Sequence, residues 1–174
     1  CETACRRTNL RGAISIRNLK RFAAERDSGR WKDKLRVEKD TGRKVAVIGG
    51  GPAGLTAAWF LRLKGHQVTV FEANEHAGGM MVSGIPKYRL PWEVLNAEIR
   101  AVTDLGVELL TGEKIEDLEP LKEQGFDAFF LAMGAPLGSG MGFPGEEDER
   151  VVDGIRVLKC INFGYDIDLS GKIA

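Results

Sequence analysis

The stretch Lys44–Glu72, KVAVIGGGPAGLTAAWFLRLKGHQVTVFE, restricts the fold more than any other part of the chain. Lys44–Ile48 is a short apolar run rich in β-branched residues, suited to a strand buried on both faces. Gly49, Gly51 and Gly54 then give the spacing G-x-G-x-x-G. The first glycine permits a tight turn, the second lets a pyrophosphate approach the backbone, and the third lets a helix pack closely on the strand. Pro52 stands where a first-turn proline loses no helical hydrogen bond. Ala53, Ala57 and Leu61 recur at helical spacing, the two alanines small enough for the helix to lie close on a sheet. The spacing predicts a helix stopping near Gly65 and a second strand over Val68–Phe71. Glu72 follows where a carboxylate can accept hydrogen bonds from a ribose diol.

A G-x-G-x-x-G alone proves little, because the chain holds a second copy. Gly140, Gly142 and Gly145 in GSGMGFPGEEDER match the spacing, but a proline and an acidic run follow instead of a small-residue helix. That copy reads as a loop. The first copy has the strand before it, the helix after it and the acid about 20 residues on, the context that dinucleotide binding requires. A glycine turn that binds nothing would leave Glu72 unexplained.

Beyond Glu72 the pattern becomes irregular. Ala77-Gly78-Gly79 and Gly84-Ile85-Pro86-Lys87-Tyr88-Arg89-Leu90-Pro91 form a glycine- and proline-dense loop, long enough to border a ligand. Arg89 is the residue there able to grip a phosphate or carboxylate with a bidentate fork, a surface arginine being the alternative. Met80 and Met81 suit gap filling. Pro91 opens a helix whose apolar stripe is Leu95, Ile99, Val102 and Leu105, ended by Gly106. Val107–Leu110 reads as a strand, Ile115–Gln124 as a short helix, and Phe126–Met133 as a strand running into Gly134-Ala135-Pro136. The order argues for a mainly parallel sheet with helices on both faces.

At the start, CETAC sets Cys1 and Cys5 four apart, a spacing that puts two thiolates on one face if both lie on a helix. They read either as metal or iron–sulfur ligands or as ordinary thiols. Ile14–Arg26 reads as an amphipathic helix with Ile16, Leu19, Phe22 and Ala23 on one face and Arg17, Lys20, Arg21 and Arg26 around it. Asp27–Arg43 is charged and broken by Gly29 and Gly42, so it reads as a linker anchored by Trp31. Cys160, in IRVLKCINFG, is expected to be a buried core thiol. His66 and His76 have no nucleophile or metal partner in their motifs and read as surface or loop residues.

The 174 residues are about one domain's length, and 43% hydrophobic residues can build a core. With 25 basic and 25 acidic side chains there is no bulk attraction to nucleic acid or an anionic membrane. No apolar run approaches the roughly 20 residues of a membrane span, and the polar start is unlike a signal peptide. A cytoplasmic protein without a disulfide framework is the expectation. The opening Cys1 and the closing SGKIA, which resembles the start of another strand, suggest a piece of a longer protein.

Taken together, these segments resemble the flavin-binding part of the small subunit of glutamate synthase and its relatives. That family includes the flavin domains of dihydropyrimidine dehydrogenase and of electron-bifurcating NADH-dependent ferredoxin:NADP oxidoreductase. CETACRR with ISIRNLKRFA resembles the family's last cluster cysteines and the helix after them; VAVIGGGPAGLTAA with VTVFEA resembles its FAD fingerprint. AGGMMVSGIPKYRLP resembles its most recognisable segment, and FLAMGAP the strand closing on the flavin nucleotide. Met133 stands where the family has threonine.

The resemblance implies a Rossmann-like FAD/NAD(P)-binding α/β domain over 44–174, a linker over 28–43, and over 1–27 the helical tail of an iron–sulfur domain. It implies an NAD(P)H-dependent oxidoreductase with FAD and a [4Fe-4S] cluster. Gly49, Gly51, Pro52, Ala53 and Gly54 would face the FAD pyrophosphate, with Glu72 and Ala73 toward the adenosine ribose. Gly78, Gly79, Met80, Ile85 and Arg89 would lie along the flavin side, with Ala132, Met133 and Gly134 near the cofactor backbone. Cys1 and Cys5 would be two cluster ligands. The implied partners are NAD(P)H and a redox subunit resembling the large subunit of glutamate synthase or another iron–sulfur or hydrogenase-type subunit. Two other readings remain: a plain NAD-binding dehydrogenase domain, and a non-catalytic electron-relay or docking module within a larger complex.

Overall fold

In the computed structural model, which describes residues 2–170, the chain divides after Arg36 into two units. The break falls inside the segment read from the sequence as a linker. The first unit holds a four-residue helix α1 (Thr8–Arg11), helix α2 (Ile16–Glu25) and a single 3₁₀ turn over Lys32–Lys34. The apolar stripe of α2 is present, but no residue of that helix is buried: Leu19 is 55% and Phe22 53% exposed. The Arg26 guanidinium lies 3.7 Å from the Phe22 ring centre, a cation–π contact that shields part of the stripe. Trp31 belongs to this unit, where its indole N–H donates to Asp27 Oδ2 at 2.6 Å.

The second unit is organised by its sheet. Strands β1 (Lys44–Ile48), β2 (Gln67–Glu72), β3 (Glu108–Thr111) and β4 (Ala128–Leu131) lie in the order β3-β2-β1-β4, and every pair is parallel. Val47 stands opposite Val70 across β1 and β2, and both are completely buried. The alternation of side chains along each strand divides the core in two. Val47, Val68 and Val70 meet Ala58 of α3 (Pro52–Leu63) and Val102 of α5 (Trp92–Thr103) on one face. Ala46, Ile48 and Phe71 meet Leu121 of α6 (Glu119–Glu123) on the other. The sheet is therefore covered by helices on both faces, as the sequence pattern predicts.

The predicted elements are all present, with ends shifted: the second strand is a residue longer at each end, Gln67–Glu72, and the third moves by one, to Glu108–Thr111. The helix expected over Ile115–Gln124 forms only over Glu119–Glu123, with Pro120 in its first turn, where a proline starts rather than continues a helix. The strand expected over Phe126–Met133 pairs with β1 only over Ala128–Leu131. The buried face of α3 is not the one expected: Gly54, Leu55 and Ala58 are buried while Ala53 is exposed and Ala57 only partly covered. A helical side chain leans back toward the preceding turn, so the sheet is covered one position later than spacing alone suggests. Cys160, expected in the core, is only partly buried, because α7 (Gly154–Phe163) buries a single side chain, Asn162.

A short helix, α4 (Met80–Ser83), interrupts the predicted glycine–proline loop. It begins after Gly79, whose φ of 56° favours glycine, and Ser83 Oγ bonds back to the Gly79 carbonyl at 3.0 Å. Residues 37–43 belong to the second unit. The Glu38 N–H donates to the Leu63 carbonyl at 2.8 Å, and a Cβ on Gly65 would collide with the Lys39 carbonyl oxygen. Among the described residues, no helix is long and apolar enough to cross a membrane.

Candidate functional site

The carboxyl ends of β1, β2 and β4 converge on the glycine turn. The Gly49 N–H donates to the Phe71 carbonyl at 2.8 Å, and the Ala132 N–H to the Ile48 carbonyl at 2.7 Å. A Cβ on Gly49, whose φ is 113°, would run into the Ala132 carbonyl; a Cβ on Gly54 would run into the Gly49 carbonyl oxygen. Two of the three motif glycines are thus required by the protein's own backbone. Gly51 differs. Its φ is −79°, and a Cβ there would meet only the Gly79 Cα, at 3.6 Å. Among the described residues nothing forbids a methyl at Gly51, so the chain leaves open space beside this glycine.

Gly51 is also the N-cap of α3, and no side chain caps the helix. Its first-turn N–H groups at Ala53 and Gly54 have no acceptor within the helix, and the positive end of the helix dipole adds to them. An anionic group at Gly51 would meet both, which is how helix N-termini hold phosphates. Pro52, at the first helical position, gives up no donor.

Glu72 is 5% exposed and its carboxylate is already engaged. Oε2 accepts the Gly50 N–H at 2.8 Å; Oε1 accepts the Asn74 backbone N–H at 2.8 Å and the Asn74 Nδ2 at 2.7 Å. The acid therefore clasps the glycine turn to the segment after β2. Ala73, beside it, is exposed. Gly50 and Asn74 were not singled out from the sequence. A Cβ on Gly50 would lie 3.1 Å from both Glu72 Cβ and Oε2, a constraint visible only once the two segments are brought together.

The third segment arrives through Gly78, whose N–H donates to the Gly50 carbonyl at 2.8 Å. A Cβ on Gly79 would come within 2.8 Å of the Gly51 Cα, so the two segments pass close, backbone to backbone. Met80 follows, 39% exposed. Ala132, Met133 and Gly134 leave β4 beside Gly49; Met133 is 61% exposed and Gly134 has a φ of 67°. The structure thus brings residues 49–54, 72–74, 78–80 and 132–134 together at one end of the sheet. Ile85 and Arg89 sit on the following turn, where Arg89 is exposed and its guanidinium makes no hydrogen bond or ion pair with the described residues. The second G-x-G-x-x-G is a loop, as predicted, with Glu146 accepting the Met141 and Gly142 N–H groups at 2.6 Å each.

In the first unit, Cys5 lies in a turn ahead of α1, and Cys1 is outside the described residues. Backbone N–H groups, first that of Ile14 and then that of Arg7, hold the Cys5 thiol below its ordinary pKa. Among the described residues no three His, Cys, Asp or Glu side chains gather as a metal site. His76 packs edge-on against Trp92, with ring centres 4.7 Å apart.

Comparison with known proteins agrees with this geometry. Residues 47–108 match a family described as NAD(P)-binding Rossmann-like domain. The chain is 37% identical to the NADP(+)-dependent formate dehydrogenase subunit beta of Moorella thermoacetica, an alignment covering 99% of this chain and 28% of that protein. It is 38% identical to the NADPH-Fe(3+) oxidoreductase subunit beta of Geobacter sulfurreducens, over 84% of this chain and 23% of the relative. It is also 38% identical to the glutamate synthase [NADPH] small chain of Bacillus subtilis, over 78% of this chain and 28% of the relative. The chain thus spans under a third of the length of these relatives. Mycobacterium tuberculosis FprA in complex with NADPH shares the fold, with a TM-score of 0.60 at 16% identity over 69% of this chain and 29% of that one. The glycine turn, the acid after β2 and this similarity along nearly the whole chain agree: the protein belongs with the glutamate synthase small chain in a family of NAD(P)H-dependent oxidoreductase subunits.

Proposed function

We propose that this chain is the FAD-binding portion of an oxidoreductase that passes electrons between NAD(P)H, FAD and [4Fe-4S] clusters. The observation that carries the reading is Gly51: glycine is unnecessary there for the protein itself, and it sits at an uncapped helix N-terminus. The N–H groups of Ala53 and Gly54 would hold the pyrophosphate, with Gly49 and Gly79 keeping side chains out of its path. Ala132, Met133 and Gly134 would border the cofactor where β4 leaves the sheet. Glu72 would meet the adenosine ribose by exchanging the Asn74 amide, the more accessible of its partners, for a ribose hydroxyl. Gly78, Met80, Ile85 and Arg89 would line the flavin side, with the Arg89 guanidinium free to pair with an anion.

A flavin bound there supplies two-electron acceptance from NAD(P)H and one-electron release to iron–sulfur centres. Cys5 suits a cluster ligand because the N–H groups around its sulfur favour the thiolate, the form that binds iron. Cys1 would be a second ligand. The donor subunit or acceptor subunit would be an iron–sulfur protein resembling the large subunit of glutamate synthase or a hydrogenase-type partner, in the cytoplasm.

One observation favours a second reading, a plain NAD-binding dehydrogenase domain: the matched family model is described by NAD(P) binding. The two part in one experiment. The full-length protein, prepared anaerobically, should show flavin absorption that NADH or NADPH bleaches, and Gly51→Val should lose the flavin at least tenfold. A colourless protein that still binds the nucleotide would sink the flavin reading.

A further inference from the structure

Helix α7 is held at both ends. The Asp153 side chain caps it by accepting the Arg156 N–H at 2.9 Å, and Gly164, with a φ of 75°, closes it while the Tyr165 N–H reaches the Cys160 carbonyl at 2.9 Å. Its rotation is further set by Phe163, which packs edge-on against both His76 and Trp92. A helix so fixed ought to bury an apolar side chain. Its one buried residue is instead Asn162, 3% exposed.

The Asn162 Nδ2 donates to the carbonyls of Ser83, at 3.0 Å, and Ile85, at 3.1 Å. Two carbonyl acceptors require the amide nitrogen, the only atom of that side chain with two N–H bonds. These carbonyls flank Gly84, where α4 ends and the next turn begins. Their need for an outside donor follows from the sequence. Ser83 is the last residue of a four-residue helix, whose final carbonyls have no partner within it. After Ile85 comes Pro86, which has no N–H to help close the chain. The Pro86 carbonyl then accepts the N–H groups of Arg89, at 2.9 Å, and Leu90, at 3.1 Å, forming the turn that presents Arg89. Gly84 itself is packed, a Cβ there falling 2.7 Å from Met80 Cε.

We propose that Asn162 is a positioning residue for the dinucleotide site: by gripping the carbonyls on either side of Gly84, it sets the turn that holds Ile85 and Arg89 against the flavin. The proposal rests on the flavin reading above. It assigns to a residue nearly 80 positions downstream the order of the loop that borders the cofactor.

The test uses the full-length protein with Asn162→Leu, which keeps the volume and removes both donors, and Asn162→Asp, which sets a carboxylate against two carbonyls. Asp153→Ala, which weakens α7 but leaves the amide, serves as the structural control. Hydrogen exchange of the amides over 84–90 should quicken at least tenfold in both Asn162 variants, with β1 and β2 unchanged. Flavin affinity should fall about tenfold and its visible bands shift, neither occurring in the control. In the Asn162→Asp variant, lowering the pH should restore part of the protection, because a neutral carboxyl donates one O–H. Exchange that quickens across the whole domain, or exchange over 84–90 that stays unchanged, overturns the clamp. Flavin affinity and bands unaltered despite a loosened turn overturn its service to the cofactor. A wild-type protein without flavin overturns the flavin reading alone, and the exchange over 84–90 still decides the clamp.

Discussion

Three glycines with one spacing do three different things, and single substitutions should separate them. Gly54→Ala drives a methyl into the Gly49 carbonyl oxygen, and Gly49→Ala drives one into the Ala132 carbonyl at a φ of 113°. Backbone cannot yield as a side-chain end can, so each should cost about 3 kcal/mol or more. Gly51→Ala meets only the Gly79 Cα at 3.6 Å and should leave the melting temperature within about 2 °C of wild type. Its effect should fall on ligand affinity instead. Melting curves beside a nucleotide titration would show this, and an equal loss of stability in all three variants would overturn the assignment of Gly51 to a ligand. Glu72 carries the complementary lesson. Its carboxylate accepts three N–H bonds, while a glutamine offers one oxygen. Glu72→Gln should therefore orphan at least one buried donor and lower stability by about 1–3 kcal/mol even without nucleotide. A Glu72→Gln protein as stable as wild type would mean that the acid serves the ligand alone.

Elements were legible in the sequence where one period dominated. β1, α3 and β2 follow from a β-branched run, a glycine turn and small residues, and α5 from a stripe at Leu95, Ile99 and Val102, all three buried in the structure. α4 was not legible. Four residues are too few to show a period, and the helix depends on Gly79, with its φ of 56°, and on a Ser83 side-chain bond. α7 hid for another reason: its apolar residues are mostly part-exposed, and its buried face is one amide whose acceptors lie nearly 80 residues upstream. The site was legible in its glycines and acid, which local chemistry demands. Gly50 and Asn74 were not, because each matters only through Glu72. α7 nonetheless carries one local signal, Asp153 at its N-cap with the bond to the Arg156 N–H. Asp153→Ala should cost about 1 kcal/mol. Thermal melts would check that value, and no change would mean that tertiary packing, rather than the cap, sets the start of the helix.

Across the whole nucleotide unit, the strand order places the site. The chain builds β1, β2 and β3 outward in one direction and then returns to lay β4 on the other side of β1. The connections diverge there, opening a crevice at the carboxyl ends of the strands, and the glycine turn faces it. Only four residues of β4 pair with β1, and Leu131 at its end is 57% exposed, so this side of the crevice rests on few contacts. Asp127 reinforces it at the opposite end of the strand. Oδ2 accepts the Lys44 N–H at 2.8 Å and Oδ1 the Arg43 guanidinium at 2.7 Å, bridging the starts of β1 and β4. Those partners, the Lys44 N–H foremost, hold the Asp127 carboxyl below its ordinary pKa. A carboxyl lowered on folding adds stability that is fully present above the unfolded pKa, about 3.9, and is lost as pH falls through the lowered folded value. Asp127→Asn should therefore melt below wild type by a margin that is constant well above the unfolded pKa and closes as the pH falls through the lowered folded value. Melting temperatures of the two proteins across that range decide it. A margin that persists in strong acid would mean that Asp127 joins the two sides of the crevice by shape and neutral hydrogen bonding, with its charge contributing nothing.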